Sequence, residues 1–429
     1  LAKPSEKDEK SRKKIQKAWS FYDWANSVYS LVISTAVFPI YYAESTRQME
    51  FVTFLGFEWQ PDPLYSYALS FSFCVVALIS PILSGIADYT GRKKDFMKFF
   101  CYLGALACTG LYFFTGPNVG VAIGFSVLAS IGFWGSLVFY NAYLPEIAKP
   151  EEQDRLSARG FAWGYIGSSL LLIFNLAMIL APETFGLTDS GQASRISFLT
   201  VGLWWAGFAQ ITFSRLPVSD TVSWKQKGIL TKGYQELRKV FKYVRREDKP
   251  LKTFLIAFFF YSTGVQTIIL LATIFGSNEL GLKAADLILT ILIIQVIAIG
   301  GALFFARLSV KLGNVVTLQI QVVIWMLVCF AAFMLHRDTL HVRELFFILG
   351  GLVGLVMGGI QSLSRSTYSK LLPKTKETAS FFSFYDVTEK IAIVLGTFFF
   401  ALIAQLTGNM NTSALVLALF FAGGLAVLQ

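Results

Sequence analysis

Gly85-Ile86-Ala87-Asp88-Tyr89-Thr90-Gly91-Arg92-Lys93-Lys94 is the stretch on which the reading of this chain turns. It joins two apolar runs, 64–87 and 96–115, each of the roughly 20 mostly apolar residues that a bilayer crossing requires. An acid at the tip of one run, a glycine three residues on and then three cations make a tight charged hairpin between two membrane-length helices. Gly-Arg-Lys turns also occur in ordinary loops, so the weight of the stretch comes from the repeated apolar runs on either side.

Those runs number twelve: 22–43, 64–87, 96–115, 119–144, 161–182, 195–216, 252–275, 284–307, 314–335, 344–367, 381–405 and 412–429. Hydrophobic residues make up 55% of the 429 positions, charged residues 15%, and mean hydropathy is +0.58. Soluble domains are about one quarter charged, so this composition is built for lipid. The predicted class is an all-α membrane protein of twelve transmembrane helices in two six-helix pseudo-repeat bundles. A basic tail at 1–21 precedes a first bundle at 22–216. A linker at 217–250 and a second bundle at 251–429 follow. The first run is too long for a signal-peptide core. The chain starts at Leu1 rather than Met and its last run is short, so both ends are expected to be trimmed.

Orientation follows from the cations. With both termini cytoplasmic, inside segments hold 31 Lys and Arg, and outside loops hold five: Arg47, Arg195, Lys283, Arg337 and Arg343. Lys390 lies deep within a span. The net charge of +10 then needs no nucleic acid, because the cations face an anionic cytoplasmic leaflet. Cys74, Cys101, Cys108 and Cys329 fall in apolar runs at unrelated spacings, which indicates neither a disulfide framework nor a metal site.

Two internal echoes argue for a parallel repeat, an arrangement that places a transport pathway between the halves. Arg307-Leu308-Ser309-Val310-Lys311-Leu312-Gly313-Asn314 repeats the Gly91 loop, with Val310 where Asp88 would stand. Leu371-Leu372-Pro373 repeats Tyr143-Leu144-Pro145. In the linker, Leu230, Tyr234, Leu237, Phe241 and Val244 recur at helical spacing among many cations. That is an amphipathic helix on the membrane surface or against a bundle, with a partner-binding helix as the alternative.

A charge within a span costs about 2.5–3.5 kcal/mol on insertion scales, so each one asks for a reason. Asp23, Ser27 and Ser30 share one helical face with Asn26 beside them, either as a stripe packed against another helix or as part of a substrate path. Asn141, Asn175 and Gln361 are polar groups in or at the ends of spans that fit interhelical hydrogen bonding and substrate contact equally. Gly160, Gly164 and Gly167 share a face that admits a neighbouring backbone. Gly85, Asp88, Gly91, Arg92 and Lys93 form a candidate conformational latch, with Asp88 placed to pair with Arg92 or to cap a neighbouring helix. Asp386 and Lys390 stand four apart and can pair on one face, whereas Glu389 points aside toward Arg365 or Arg159. Together these five are a candidate charge network, read either as structural ion pairs or as a protonatable coupling site.

Tyr22-Asp23-Trp24-Ala25-Asn26-Ser27, Tyr140-Asn141-Ala142-Tyr143-Leu144-Pro145-Glu146, Ser157-Ala158-Arg159-Gly160 and Gln361-Ser362-Leu363-Ser364-Arg365-Ser366 occur in consistent order along nearly the whole chain. In these motifs, and in the Gly85–Lys94 loop, the sequence resembles the vacuole effluxer-like family of the major facilitator superfamily. That family includes the fungal autophagy-related vacuolar amino-acid exporter and bacterial members. The resemblance implies the major facilitator fold, alternating access and amino-acid efflux. It implies a small-molecule substrate, a coupling proton, a monomer in the bilayer and no cofactor. The location would be the inner membrane of a bacterium or the vacuolar membrane of a fungus. Lipid or drug efflux is the alternative, and a non-transporting sensor or scaffold the alternative of another class. Catalysis is not expected: Tyr22-Asp23 and Tyr385-Asp386 lack the Gly-x-Gly-Asp partner of intramembrane proteases, and no nucleotide-binding loop is present.

Overall fold

A backbone in hydrocarbon must satisfy its own N–H and C=O groups, so apolar runs of bilayer length become helices. The computed structural model describes residues 6–218, 228–246 and 248–429. The chain order is α1 (Glu6–Val28), a π-helical segment Tyr29–Ala36, α2 (Phe38–Thr46), β1 (Val52–Phe54), β2 (Phe57–Trp59), α3 (Pro61–Thr90), α4 (Lys93–Gly110), α5 (Val119–Ala142), α6 (Leu144–Ile147) and α7 (Pro150–Leu180). It continues with α8 (Ser190–Arg215), α9 (Ile229–Arg246), α10 (Lys249–Asn278), α11 (Ala284–Leu312), α12 (Asn314–Met334), α13 (Val342–Leu371), α14 (Thr378–Thr407) and α15 (Met410–Leu428). Among the described residues, eleven helices are long and apolar enough to cross a membrane.

The twelfth run is the first one, and it is not a single α-helix. Pro39 has no N–H to offer the carbonyl of Thr35, which breaks the ordinary ladder. The chain widens instead: Val37 N–H reaches Val32 O at 2.8 Å and Thr35 Oγ1 donates to Ser30 O at 2.8 Å. Such π segments are frequent at functional sites. At the other end, the basic tail from Glu6 onward is already helical and continuous with the first run. The antiparallel hairpin β1–β2 was not foreseen; Leu55 and Gly56, both at positive φ, make its turn.

The described residues form two compact units. One holds Leu1–Tyr143 and Trp163–Glu236, the other Leu144–Ala162 and Leu237–Gln429. The second therefore includes α6 and the start of α7, residues that precede the linker by more than fifty positions. In the first unit α4 packs on α5 and α8, and α1 on α8. In the second, α11 packs on α13, and α10 on α14 and α15. The α11–α13 contact is close because Gly354 and Gly358 leave no Cβ to meet the carbonyls of Ile294 and Ala298. The two related loops share a backbone device. Gly91 after α3 and Gly313 after α11 both have positive φ, 70° and 83°, although Val310 in the second loop is an exposed apolar residue.

Candidate functional site

One buried polar cluster of the second unit stands on α14. One helical turn places Lys390 Nζ 3.0 Å from Asp386 Oδ1, the pairing expected from their spacing. Lys390 also reaches Glu389 Oε2 at 3.4 Å, and Gln266 Nε2 on α10 donates to Glu389 Oε1 at 2.8 Å. Glu389 thus has partners that its sequence context did not reveal. Asp386 and Lys390 are 5% and 1% exposed, so both charges are out of water. Two carboxylates share one ammonium, and Asp386 Oδ2 has no hydrogen-bond partner. A buried carboxylate oxygen without a donor is costly, and the site is one formal charge short of balance. An added positive charge, whether a proton or a cationic group, would offset that imbalance. Beside it Tyr385 stacks on Phe258 at 4.1 Å, and Tyr261 shares a 2.8 Å hydrogen bond with Ser364 on α13.

In the first unit, Asp23 is buried and accepts from Tyr140 Oη at 2.8 Å. Tyr140 stacks on Trp19 at 4.5 Å, and Trp19 Nε1 donates to the Tyr140 carbonyl at 2.8 Å. Asn26 is buried with its Nδ2 unpartnered. Ser27 is half-buried and Ser30, where the π segment opens, is exposed. Gly164 and Gly167 serve close packing: a Cβ at Gly164 would run into Ser27 Oγ, and one at Gly167 into Trp24. Asn175 is fully buried and accepts from Thr200 Oγ1 at 3.0 Å, which joins α7 to α8. Asn141 and Gln361 are half-buried on α5 and α13.

The Asp88 side chain is out of water, with Lys93 Nζ 3.5 Å from its Oδ1. Arg92 reaches Asp95 at 3.0 Å, and Lys94 Nζ donates to Leu216 O at 2.9 Å. Gly85 has a role that the sequence did not signal. A Cβ there would strike the backbone oxygen of Gly233 on α9, and a Cβ at Gly233 would meet Ile86 at 2.7 Å. Lys232 Nζ adds a 2.7 Å hydrogen bond to Tyr89 Oη. Gly233→Leu is therefore expected to dislodge the first half of α9 through overpacking of about 1–3 kcal/mol. Trypsin should then cut after Arg238 roughly tenfold faster or more. Unchanged proteolysis would show that the glycine contact holds nothing.

A second polar cluster was missed. Asp154 on α7 is 3% exposed. It accepts from Lys370 Nζ at 2.6 Å, Ser309 Oγ at 2.8 Å and Asn314 Nδ2 at 2.9 Å. One turn on, Arg365 Nε donates to Ser157 Oγ at 2.9 Å, and its guanidinium lies 4.3 Å over the Phe161 ring. Arg159 lies half-buried on the same helix. Of the five residues of the candidate charge network, Asp386, Glu389 and Lys390 contact each other and Arg365 binds Ser157, while Asp23 of the candidate substrate path binds Tyr140.

The family described as "Vacuole effluxer Atg22 like" matches residues 11–429. The MFS-type transporter YxiO of Bacillus subtilis is 34% identical over 417 residues, covering 97% of this chain and 94% of its own. The chain belongs to the Atg22-like vacuole effluxer family. Autophagy-related protein 22 of Kluyveromyces lactis is 28% identical, covering 85% of this chain and 78% of its own. Among solved structures, the transporter FucP in its outward conformation matches with a TM-score of 0.68 at 13% identity over 97% of both chains. The human organic anion transporter MFSD10 matches at 0.70 and 12% identity, covering 97% of this chain and 99% of its own. The protein is accordingly a multi-pass membrane transporter of the major facilitator superfamily, not an enzyme.

Proposed function

We propose that this Atg22-like protein exports small ammonium-bearing solutes, amino acids foremost, by alternating access. The observation that carries the reading is the unpartnered, buried Asp386 Oδ2 in a cluster of two acids and one lysine. An ammonium group, or a coupling proton in its absence, supplies the missing positive charge. The fungal relatives, whose family is described as vacuole effluxers, support the direction. Counterflow of labelled amino acids into proteoliposomes of the purified chain tests it. Saturable counterflow that Asp386→Asn abolishes is expected; no counterflow with any amino acid would overturn it.

Lipid or drug efflux has its own observation. An apolar cavity in the second unit is lined by Ile268, Leu271, Phe275, Phe346 and Phe400, among others, and carries no charged group. Counterflow of a lipophilic cation without amino-acid counterflow would favour that reading.

The cation partition supports cytoplasmic termini, in an inner membrane for a bacterial chain and a vacuolar membrane for a fungal one. Lys374 is exposed between α13 and α14. A Lys374→Cys variant lacking Cys74 should resist an impermeant thiol reagent added outside intact cells and react once the membrane is opened. Labelling from outside would reverse the orientation.

A further inference from the structure

Helix α9 (Ile229–Arg246) presents more apolar surface than its contacts with the protein consume. At about 100° per residue, Gly233, Val240 and Val244 fall on one side. That side is the packed one: Gly233 meets Ile86, and Val240 is 1% exposed. Next to it, within an arc of about 40°, stand Leu230, Tyr234 and Phe241, which are 70%, 59% and 50% exposed. Arg245, Arg238 and Lys242 follow on the adjoining arc, all exposed. An isolated exposed leucine needs no explanation, but an aligned apolar stripe flanked by cations does.

Each end of the helix is tied to the end of a span. Its last residue, Arg246, is three positions from Lys249, where the span α10 begins, so it lies within about 10 Å of that boundary. Tyr243 Oη fixes the corner by donating to Asp248 Oδ2 at 3.1 Å. Toward the other end, Gly233 sits on Gly85, five residues before the end of the span α3. A helix tied at each end to the end of a span, with a stripe of exposed apolar groups beside cations (Phe241 also meets the Phe384 ring at 6.0 Å), matches one surface in chemistry. That surface is the interface of a leaflet bearing anionic phospholipid, where the apolar groups enter the acyl boundary and the cations meet phosphates.

We propose that α9 is a lipid-binding element. Leu230, Tyr234 and Phe241 insert at the leaflet boundary, while Arg238, Lys242 and Arg245 bind the headgroups of anionic phospholipid.

The test uses the full chain in nanodiscs of phosphatidylcholine with and without phosphatidylglycerol. A benzoylphenylalanine photoprobe replaces Tyr234 or, as a control on the polar side, the exposed Gln235. The proposal expects lipid adducts at Tyr234 that rise with phosphatidylglycerol and far fewer at Gln235. Equal adducts at both positions, adducts to a second copy or another protein, or no lipid adduct at all would overturn it. As an independent measure, native mass spectrometry should show phosphatidylglycerol affinity falling about fivefold per neutralised cation in Arg238→Gln, Lys242→Gln and Arg245→Gln. Retention unchanged in the triple variant would also overturn it.

Discussion

Replacing Lys390 by methionine is expected to destabilise the protein by about 3–5 kcal/mol and to abolish solute counterflow. The side chain is 1% exposed and is the shared partner of Asp386 at 3.0 Å and Glu389 at 3.4 Å. Without it, a buried acid and a half-buried one remain, with Gln266 donating to the latter. Loss of activity in the single variant alone would not separate a damaged fold from a damaged site. The double variant Asp386→Asn/Lys390→Met does, because it removes one charge of each sign and keeps the Gln266–Glu389 contact. Thermal stability in detergent should recover most of the loss, since the pair's desolvation penalty disappears with the pair. Counterflow should stay absent. A double variant that transports normally would make the cluster a structural ion pair and would remove the proposed binding centre.

Features set by local spacing were legible in the sequence, and those set by distant partners were not. Membrane spans announce themselves because roughly 20 apolar residues have few other uses. Asp386 and Lys390 announce their pairing because positions four apart on a helix face each other. Gly91 was legible as a turn residue, and it sits at φ 70°. Gln266 gave no such signal: it is 123 positions from Glu389, and only the packing of α10 on α14 brings them together. Gly233 reads as a weak point in a linker helix until its contact with Gly85 is seen. The broken first span was also hidden, although Pro39 marks where the α-helical ladder fails. Val310 stands where the first loop has Asp88, so the second loop has no matching acid of its own. The structure instead gives that loop Asn314 and Ser309, which receive Asp154 from α7.

Asp154 is the largest omission, and it supports the second strong expectation. Within Pro150-Glu151-Glu152-Gln153-Asp154-Arg155 it looks like one of three acids in a solvated helix start. Only burial separates it, since Glu151 is exposed and Asp154 is 3% exposed with three donors. Asp154→Asn keeps the volume, removes the charge opposite Lys370 and turns one acceptor oxygen into a donor aimed at other donors. Hydrogen bonds to charged groups contribute about 1.5–3 kcal/mol, and a stranded partner adds to the loss. Helix α7 counts with the second unit through Ala162 and with the first from Trp163, so this anchor holds one end of a helix common to both. Any conformational change that moves the start of α7 away from α11 and α13 must break it. A loss of about 2 kcal/mol would raise the population of such a state more than tenfold. Ser369, buried on α13 beside Lys370, provides a reporter. In a Cys74→Ser background, alkylation of Ser369→Cys should accelerate by that factor when Asp154→Asn is added. Adding Lys370→Met to Asp154→Asn should slow alkylation again, because the uncompensated ammonium is gone. Alkylation that ignores Asp154 would mean that the cluster stays closed without its acid, and that the start of α7 is held by Arg365–Ser157 and the Thr378–Glu146 hydrogen bond of 2.6 Å.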